Sequence, residues 1–231
     1  MKILLVNDDG YHSERLHYTK EVLSDYGDVW VVAPDKEYSG SSMAITPGPI
    51  PYEKINDREY IINGTPCDCV SFGIFGLNLK PDLVVSGVNY GLNLGTDYMY
   101  SGTVNAAMQA THFGYQAVAF SSHYGGDESM KAYLKPTLQH LFDREFLSHL
   151  YTISVNFPKD TIEKYKGIRH TTPYDRPIRL IGELKEDRFV YKRDFERFPS
   201  IPKDCDVAHL KDGKTTIIRI FVERRKPYFT L

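Results

Sequence analysis

Five strand-like runs punctuate the first two-thirds of the chain: KILLV at 2–6, DVWVVAP at 28–34, PDLVVSG at 81–87, QAVAFSS at 116–122 and YTISVNFP at 151–158. QAVAFSS and YTISVNFP read simply as strands; the first three read as strands buried on both faces, and such strands need helices on both sides of a sheet. The intervening segments supply them. ERLHYTKEVLSDYG carries Leu16, Leu23 and Tyr26 at near-helical spacing and stops at Gly27, which makes a βαβ unit with an expected right-handed crossover. TVNAAMQATHFG (103–114) reads as helix, and so does SMKAYLKPTLQHLFDREFLSHL (129–150), with a break expected near Pro136. GTPCDCVSFGIFG opens with Thr65 as N-cap and Pro66 at the first helical position. IPYEKI and REYIIN flank Asn56-Asp57 as a hairpin. This alternation predicts an α/β fold, a Rossmann-like, doubly wound, mostly parallel sheet.

The pattern changes near residue 160. IRLIGELKEDRFVYKRDFE and KTTIIRIFVE read as β-ribbon with no helix between them. The expected division is a catalytic core over 1–160 and a β-rich extension over 161–231 that completes the fold and serves oligomerisation.

Composition narrows the function classes. With 42% hydrophobic and 25% charged residues and a net charge of −2, the chain has no basic field to collect nucleic acid, so any phosphate must be held locally. No apolar stretch approaches the length of a membrane span, and the start lacks the apolar region of a signal peptide. A cytoplasmic protein is expected. Cys67, Cys69 and Cys205 are an odd number without zinc spacing and read as reduced packing thiols, and the eight histidines form no H-x-x-x-H pair.

In an open α/β sheet, ligands bind beyond the carboxyl ends of the strands. Asn7-Asp8-Asp9-Gly10, PDKEYSGSS (34–42), SGVNYGLN (86–93) and Ser121-Ser122 all fall at such ends and should converge. One reading of the paired aspartates is an Asx-turn or a helix cap, which needs one carboxylate only. The other is a cation site, since adjacent carboxylates at a buried strand end repel unless a cation lies between them. Ser- and Asn-rich loops would complete an all-oxygen shell for Mg²⁺ or Mn²⁺. YSGTVN (100–105) is likewise either a plain N-cap or an anion site using backbone N–H groups and the Ser101 and Thr103 hydroxyls.

With these residues in place, the sequence resembles the SurE family, the survival-protein-E nucleotidases. The likeness lies in KILLVNDDG, VVAPDKEYSGSS, NGTPCDCV, PDLVVSGVNYGLNLGTDYMYSGTVNAA and, less sharply, ISVNFP, collinear over about residues 1–125. It implies a metal-dependent phosphatase acting on nucleoside monophosphates and other phosphate monoesters, one divalent cation (Mg²⁺ or Mn²⁺) per subunit, and homodimers or homotetramers that exchange C-terminal segments. The implied metal ligands are Asp8, Asp9, Ser39 and Asn89, and the implied phosphate contacts are Asn93, Ser101, Gly102 and Thr103. Asp8 or Asp9 is in addition a candidate nucleophile or general base.

The chain also departs from the family pattern. It reads Ser13-Glu14-Arg15-Leu16 where the family has A-P-G-I, and Tyr38, Met43 and Tyr90 stand where the family has Arg, His and Arg. Fewer cationic groups around the crevice weaken the surroundings of an anionic substrate, and Tyr38 and Tyr90 are placed either to stack on a nucleobase or to serve as lid or subunit contacts. Two alternatives follow: a nucleotide-binding member of the family without turnover, and a receiver-like signalling module. The second is disfavoured because the strand over 81–87 ends in Ser86-Gly87-Val88-Asn89 with no carboxylate to accept a phosphoryl group. A dinucleotide-dependent oxidoreductase is disfavoured by the absence of G-x-G-x-x-G from the first β–α turn.

Overall fold

β1 (Lys2–Val6) sits at the centre of the architecture because its alternate side chains enter two different cores. Ile3 and Leu5 pack with Leu16 and Leu23 on one face, whereas Leu4 and Val6 pack with Val70 and Val104 on the other. Both faces being apolar, the strand accepts parallel neighbours on either side, β2 (Asp28–Pro34) and β5 (Leu83–Tyr90). The computed structural model describes residues 1–159, 162–175, 181–192 and 201–222. Among these, β3 (Tyr52–Asn56) and β4 (Glu59–Ile62) form the expected hairpin, with β4 running parallel to β2. β6 (Ala117–Ser122) and β7 (Tyr151–Phe157) extend the parallel sheet beyond β5.

β8 (Ile168–His170) and β11 (Thr215–Phe221) complete a nine-stranded sheet of order β3-β4-β2-β1-β5-β6-β7-β11-β8. β9 (Ile181–Lys185) and β10 (Arg188–Lys192) form a separate antiparallel hairpin. Strand order reverses between β1 and β5, and the crevice at that switch point is the place where such sheets bind ligands.

Helices cover both faces. α1 (Glu14–Ser24) and α4 (Asp127–Asp143) share one core, and α2 (Pro66–Ser71) and α3 (Gly102–His112) share the other. β5 to β6 and β6 to β7 step the same way across the sheet, yet their connecting helices lie on opposite faces, so the two crossovers have opposite hands. The consequence is functional: the loop after β6 crosses over the start of α1.

Several expectations need correction. α4 runs through Pro136 without a break. The proline removes only its own bond to the preceding turn, and buried Met130, Leu134, Leu138 and Leu141 hold the flanking turns against the sheet. The tail contains a helix after all, α5 (Asp206–Lys211), between β10 and β11. The segment Thr215–Phe221 is not ribbon outside the sheet but pairs antiparallel with β7 within it. Part of IRLIGELKEDRFVYKRDFE, residues 178–180 and 193–196, lies outside the described residues. Thr65 does cap α2, in a full capping box with Asp68. The three thiols are free and buried, with Cys67 pushed up to about 12 mainly by burial.

One contact gives the fold a pH dependence. His140 on α4 and His170 on β8 meet Nε2 to Nε2 at 2.9 Å, beside Phe146. Burial, then His140, Arg219 and Arg144, push His170 down to about 4, and burial and Arg144 also lower His140. A histidine that stays neutral when folded but titrates at its ordinary value when unfolded lends stability above that value, and the stability is lost as the pH falls through the folded pKa. Thermal unfolding should therefore show stability falling by roughly 1–2 kcal/mol between about pH 6.5 and 4, after allowance for partial solvent screening. His170→Gln should flatten that slope, and an unchanged slope would assign the pH dependence to other groups.

Candidate active site

The crevice is built from the turn after β1 outward. Asn7 makes the local turn bond, its Nδ2 donating to the Gly10 carbonyl at 2.8 Å, and Ser13 occupies the N-cap of α1. Neither carboxylate makes the turn or caps the helix: Asp9 lines the cleft, whereas Asp8 turns to the start of α3. The turn is fastened to the loop after β2 by Tyr38 N–H to the Asp8 carbonyl (2.8 Å) and Tyr11 N–H to the Pro34 carbonyl (2.9 Å). Gly10 adopts φ +93 and lies against the Lys36 backbone, where a Cβ would sit at 3.2 Å.

Asp8 is 2% exposed and meets the start of α3. Its Oδ2 accepts the Thr103 N–H at 3.1 Å, and its Oδ1 accepts the Thr103 hydroxyl. Asp9 accepts the Tyr90 N–H at 3.1 Å and lines the open cleft. Burial pushes the Asp8 carboxyl up despite those bonds. Burial, then the Asp8 charge, push Asp9 up to about 7, and Glu37 adds to both repulsions. That excess of negative charge is what a hard dication would relieve, and the surrounding donors are all oxygens. Among the described residues no cluster of three or more His, Cys, Asp or Glu side chains forms a metal site, so a cation here depends on two carboxylates plus neutral oxygens. The residues fit such an ion.

Of the remaining sequence-derived ligands, Asn89 lies inside β5, longer than expected at Leu83–Tyr90, and is buried with its Nδ2 on the Gly91 carbonyl at 2.9 Å. Ser39 is exposed, and its hydroxyl donates to Glu37 at 2.7 Å and not to the aspartates. On the anion side, Ser101 caps α3 by accepting the Val104 N–H at 3.1 Å, so the plain capping reading holds for this residue. A hydroxyl that accepts one bond still has a proton to donate. Gly102 packs tightly against the turn after β1 and the loop after β2: a Cβ there would lie 2.8 Å from Ser41 Oγ and 3.0 Å from Asp8 Cβ. Asn93 is fixed from two sides, its Nδ2 donating to Ser121 at 2.9 Å and its N–H to Asn156 Oδ1 at 2.8 Å. Asn156 in turn donates to the Asn93 carbonyl at 3.0 Å.

Sequence reasoning missed four contributors. Asn156 was visible only as part of ISVNFP. Glu37 and Ser41 lie in the Ser-rich loop, and the buried Ser41 Oγ has no hydrogen-bond partner among the described residues. Arg15 stood out only as a departure from a motif, yet it is 1% exposed and its fork reaches three segments. It contacts Asp127 Oδ1 (2.7 Å), the Asn89 carbonyl (2.7 Å), the His123 carbonyl (3.0 Å) and the Ser122 carbonyl (3.3 Å). The cleft beside these residues holds about 490 Å³ and is lined by Asp9, Tyr11, His12, Lys36, Tyr90 and Tyr124, among others.

Fold and crevice together define a class: a doubly wound α/β protein with adjacent aspartates at the topological switch point, one against a helix start and one in the open cleft. The chain belongs to the SurE family, whose model, described as survival protein SurE, matches residues 3–179. It is similar to a 5'-nucleotidase SurE of Chelativorans sp. (strain BNC1), 36% identical over 96% of this chain and 94% of that protein. A 5'-nucleotidase SurE of Brucella canis is 34% identical over 96% of this chain and 93% of its own length. Among solved structures, the SurE protein from Aquifex aeolicus superposes with a TM-score of 0.82 at 30% identity, covering 96% of this chain and 94% of that one.

The crowding at Gly102 is testable by thermal unfolding. Gly102→Ala should cost about 1–2 kcal/mol, because the added methyl must displace Asp8 or Ser41. Adding Ser41→Gly should recover part of the loss, and full stability in the single variant would show that the helix start has room to move.

Proposed function

We propose that this protein is a divalent-metal-dependent 5'-nucleotidase, a hydrolase of nucleoside monophosphates and related phosphate monoesters. The observation that carries this reading is the meeting of Asp8 with Thr103: a helix start, ordinarily an anion site, abuts a buried carboxylate whose neighbour Asp9 lines the cleft. That juxtaposition suits an anionic substrate when a cation shares the site. Asp8, Asp9, Ser39 and Asn89 would hold Mg²⁺ or Mn²⁺, with Ser39 turning away from Glu37, and carboxylate lone pairs not used by Thr103 and Tyr90 serve as ligands. Held there, a divalent cation would supply Lewis-acid polarisation of the phosphoryl oxygens and a lowered pKa for the attacking water.

The chain's own groups do the rest. Asn93, Ser101, Gly102 and Thr103 hold the phosphate and stabilise charge on its equatorial oxygens. Asn156 and Ser121 keep Asn93 in place before substrate arrives. Asp9, which faces the cleft, takes the proton from water as it attacks, whereas Asp8 stays engaged by Thr103. The named relatives support the reaction class and the substrate, being 5'-nucleotidases in name.

The same reading takes residues 1–160 as the catalytic core and 161–231 as an extension that completes the sheet and is exchanged between subunits of a homodimer or homotetramer. The inclusion of β8 and β11 in the main sheet supports the first half of that statement. Buried free thiols favour a reducing, cytoplasmic setting, and no described helix is long and apolar enough to cross a membrane.

The deciding assay is phosphate release from a panel of nucleoside monophosphates with Mg²⁺, Mn²⁺ or EDTA. Turnover should require a cation and fall by about 10²-fold or more in Asp8→Asn. The same cation should raise the wild-type melting temperature but not that of Asp8→Asn, a readout independent of turnover. Full activity of Asp8→Asn at saturating metal would overturn the site. Metal-dependent nucleotide binding without any turnover would instead identify a binding protein on this scaffold. Thr103→Ala should raise KM or lower kcat, and unchanged values of both would remove the anion site from the reading.

A further inference from the structure

We infer that Tyr90, backed by the buried guanidinium of Arg15, is the residue that receives the nucleobase and so sets the preference for nucleotides over phosphates lacking an aromatic ring. The inference rests on the nucleotidase reading above and names the group that would read the organic half of the substrate. The Arg15 guanidinium carbon lies 3.9 Å from the centroid of the Tyr90 ring. Tyr90 lines the cleft, whereas Arg15 does not and is 1% exposed. Arg15 thus covers one face of the ring from outside the cleft lining, and the opposite face is the one on which a base would stack.

Arg15 also fixes the platform in advance. Its four acceptors lie at the end of β5, at the end of β6 and the loop after it, and at the start of α4, so the ring it supports is held by three segments at once. A platform ordered before binding loses little freedom when a ring stacks on it. Tyr90 is registered to the reacting end as well, because its own N–H donates to Asp9 at 3.1 Å. Tyr90 and Asp9 line the same cleft, so a base on the ring shares that space with the carboxylate assigned to the reacting end. Tyr124, 55% exposed, stands at the rim against Gly91 and extends the aromatic wall.

The test compares kcat/KM for adenosine 5'-monophosphate and for ribose 5-phosphate, which keeps the phosphate and sugar but lacks the base. Stacking of a base on an aromatic side chain makes the expected change in their ratio about tenfold in Tyr90→Leu. The change should be carried in KM, and Tyr90→Phe should restore the ratio. An equal loss for both substrates, or no change in the ratio, would overturn the inference. If wild-type protein released phosphate from neither compound, the nucleotidase reading would fail by itself, and the ratio of the two dissociation constants by calorimetry would then judge Tyr90. Should Tyr90→Leu not fold, hypochromism of adenine on binding to wild-type protein replaces it, and unaltered absorbance at saturation would count against stacking.

Discussion

Two carboxylates placed side by side at the buried end of a central strand repel each other and resist ionisation, and much of the surrounding structure serves to hold them there. Thr103 gives Asp8 two bonds from the start of α3, and Tyr90 gives Asp9 one from the end of β5. These bonds favour the charged forms, but burial and mutual repulsion still raise both carboxyls. An acidic pair that the protein does not neutralise is poised for a cation. Because the two bonding partners stand at the end of β5 and the start of the helix that follows it, the aspartates tie the turn after β1 to that neighbouring unit.

Arg15 is the other organising contact. A guanidinium buried among backbone carbonyls is tolerated only when its donors are satisfied, and here β5, the end of β6 with the loop after it, and α4 supply the acceptors. This network depends on the opposite hands of the crossovers through α3 and α4. With α4 on the same face as α1, the loop after β6 passes directly over Arg15. Topology thus decides what lies beneath Tyr90, and with it the shape of the crevice where the substrate's organic portion would enter.

Much of the core was legible because strands buried on both faces leave continuous apolar runs, and KILLV and DVWVVAP became β1 and β2. YTISVNF, which alternates apolar residues with Thr152, Ser154 and Asn156, became β7, whose polar side chains are buried as well. Thr65-Pro66 marked a helix start for a local reason, a side chain capping its own backbone. Pro136 misled because local propensity was outweighed by burial of the flanking turns. α5 escaped notice because six residues are too few to show a helical period, and its start is tied down by distant groups. Asp206 there accepts N–H bonds from Gly95 (2.7 Å) and Tyr174 (2.8 Å).

By itself the sequence determined which residue types stand at the strand ends, because period and turn chemistry are local properties of the chain. It therefore yielded the α/β class, the acidic turn after β1 and the polar loops that should converge. Only the tertiary structure decided the pairings: Thr103 on Asp8, Asn156 on Asn93, and Arg15 beneath Tyr90. Those partners are separated by tens of residues and meet through the order and handedness of strands across the sheet, which no local pattern encodes. The division follows from range: short-range conformational preference is written in neighbouring residues, whereas the electrostatics of a buried site depend on what the whole fold brings within a few ångströms.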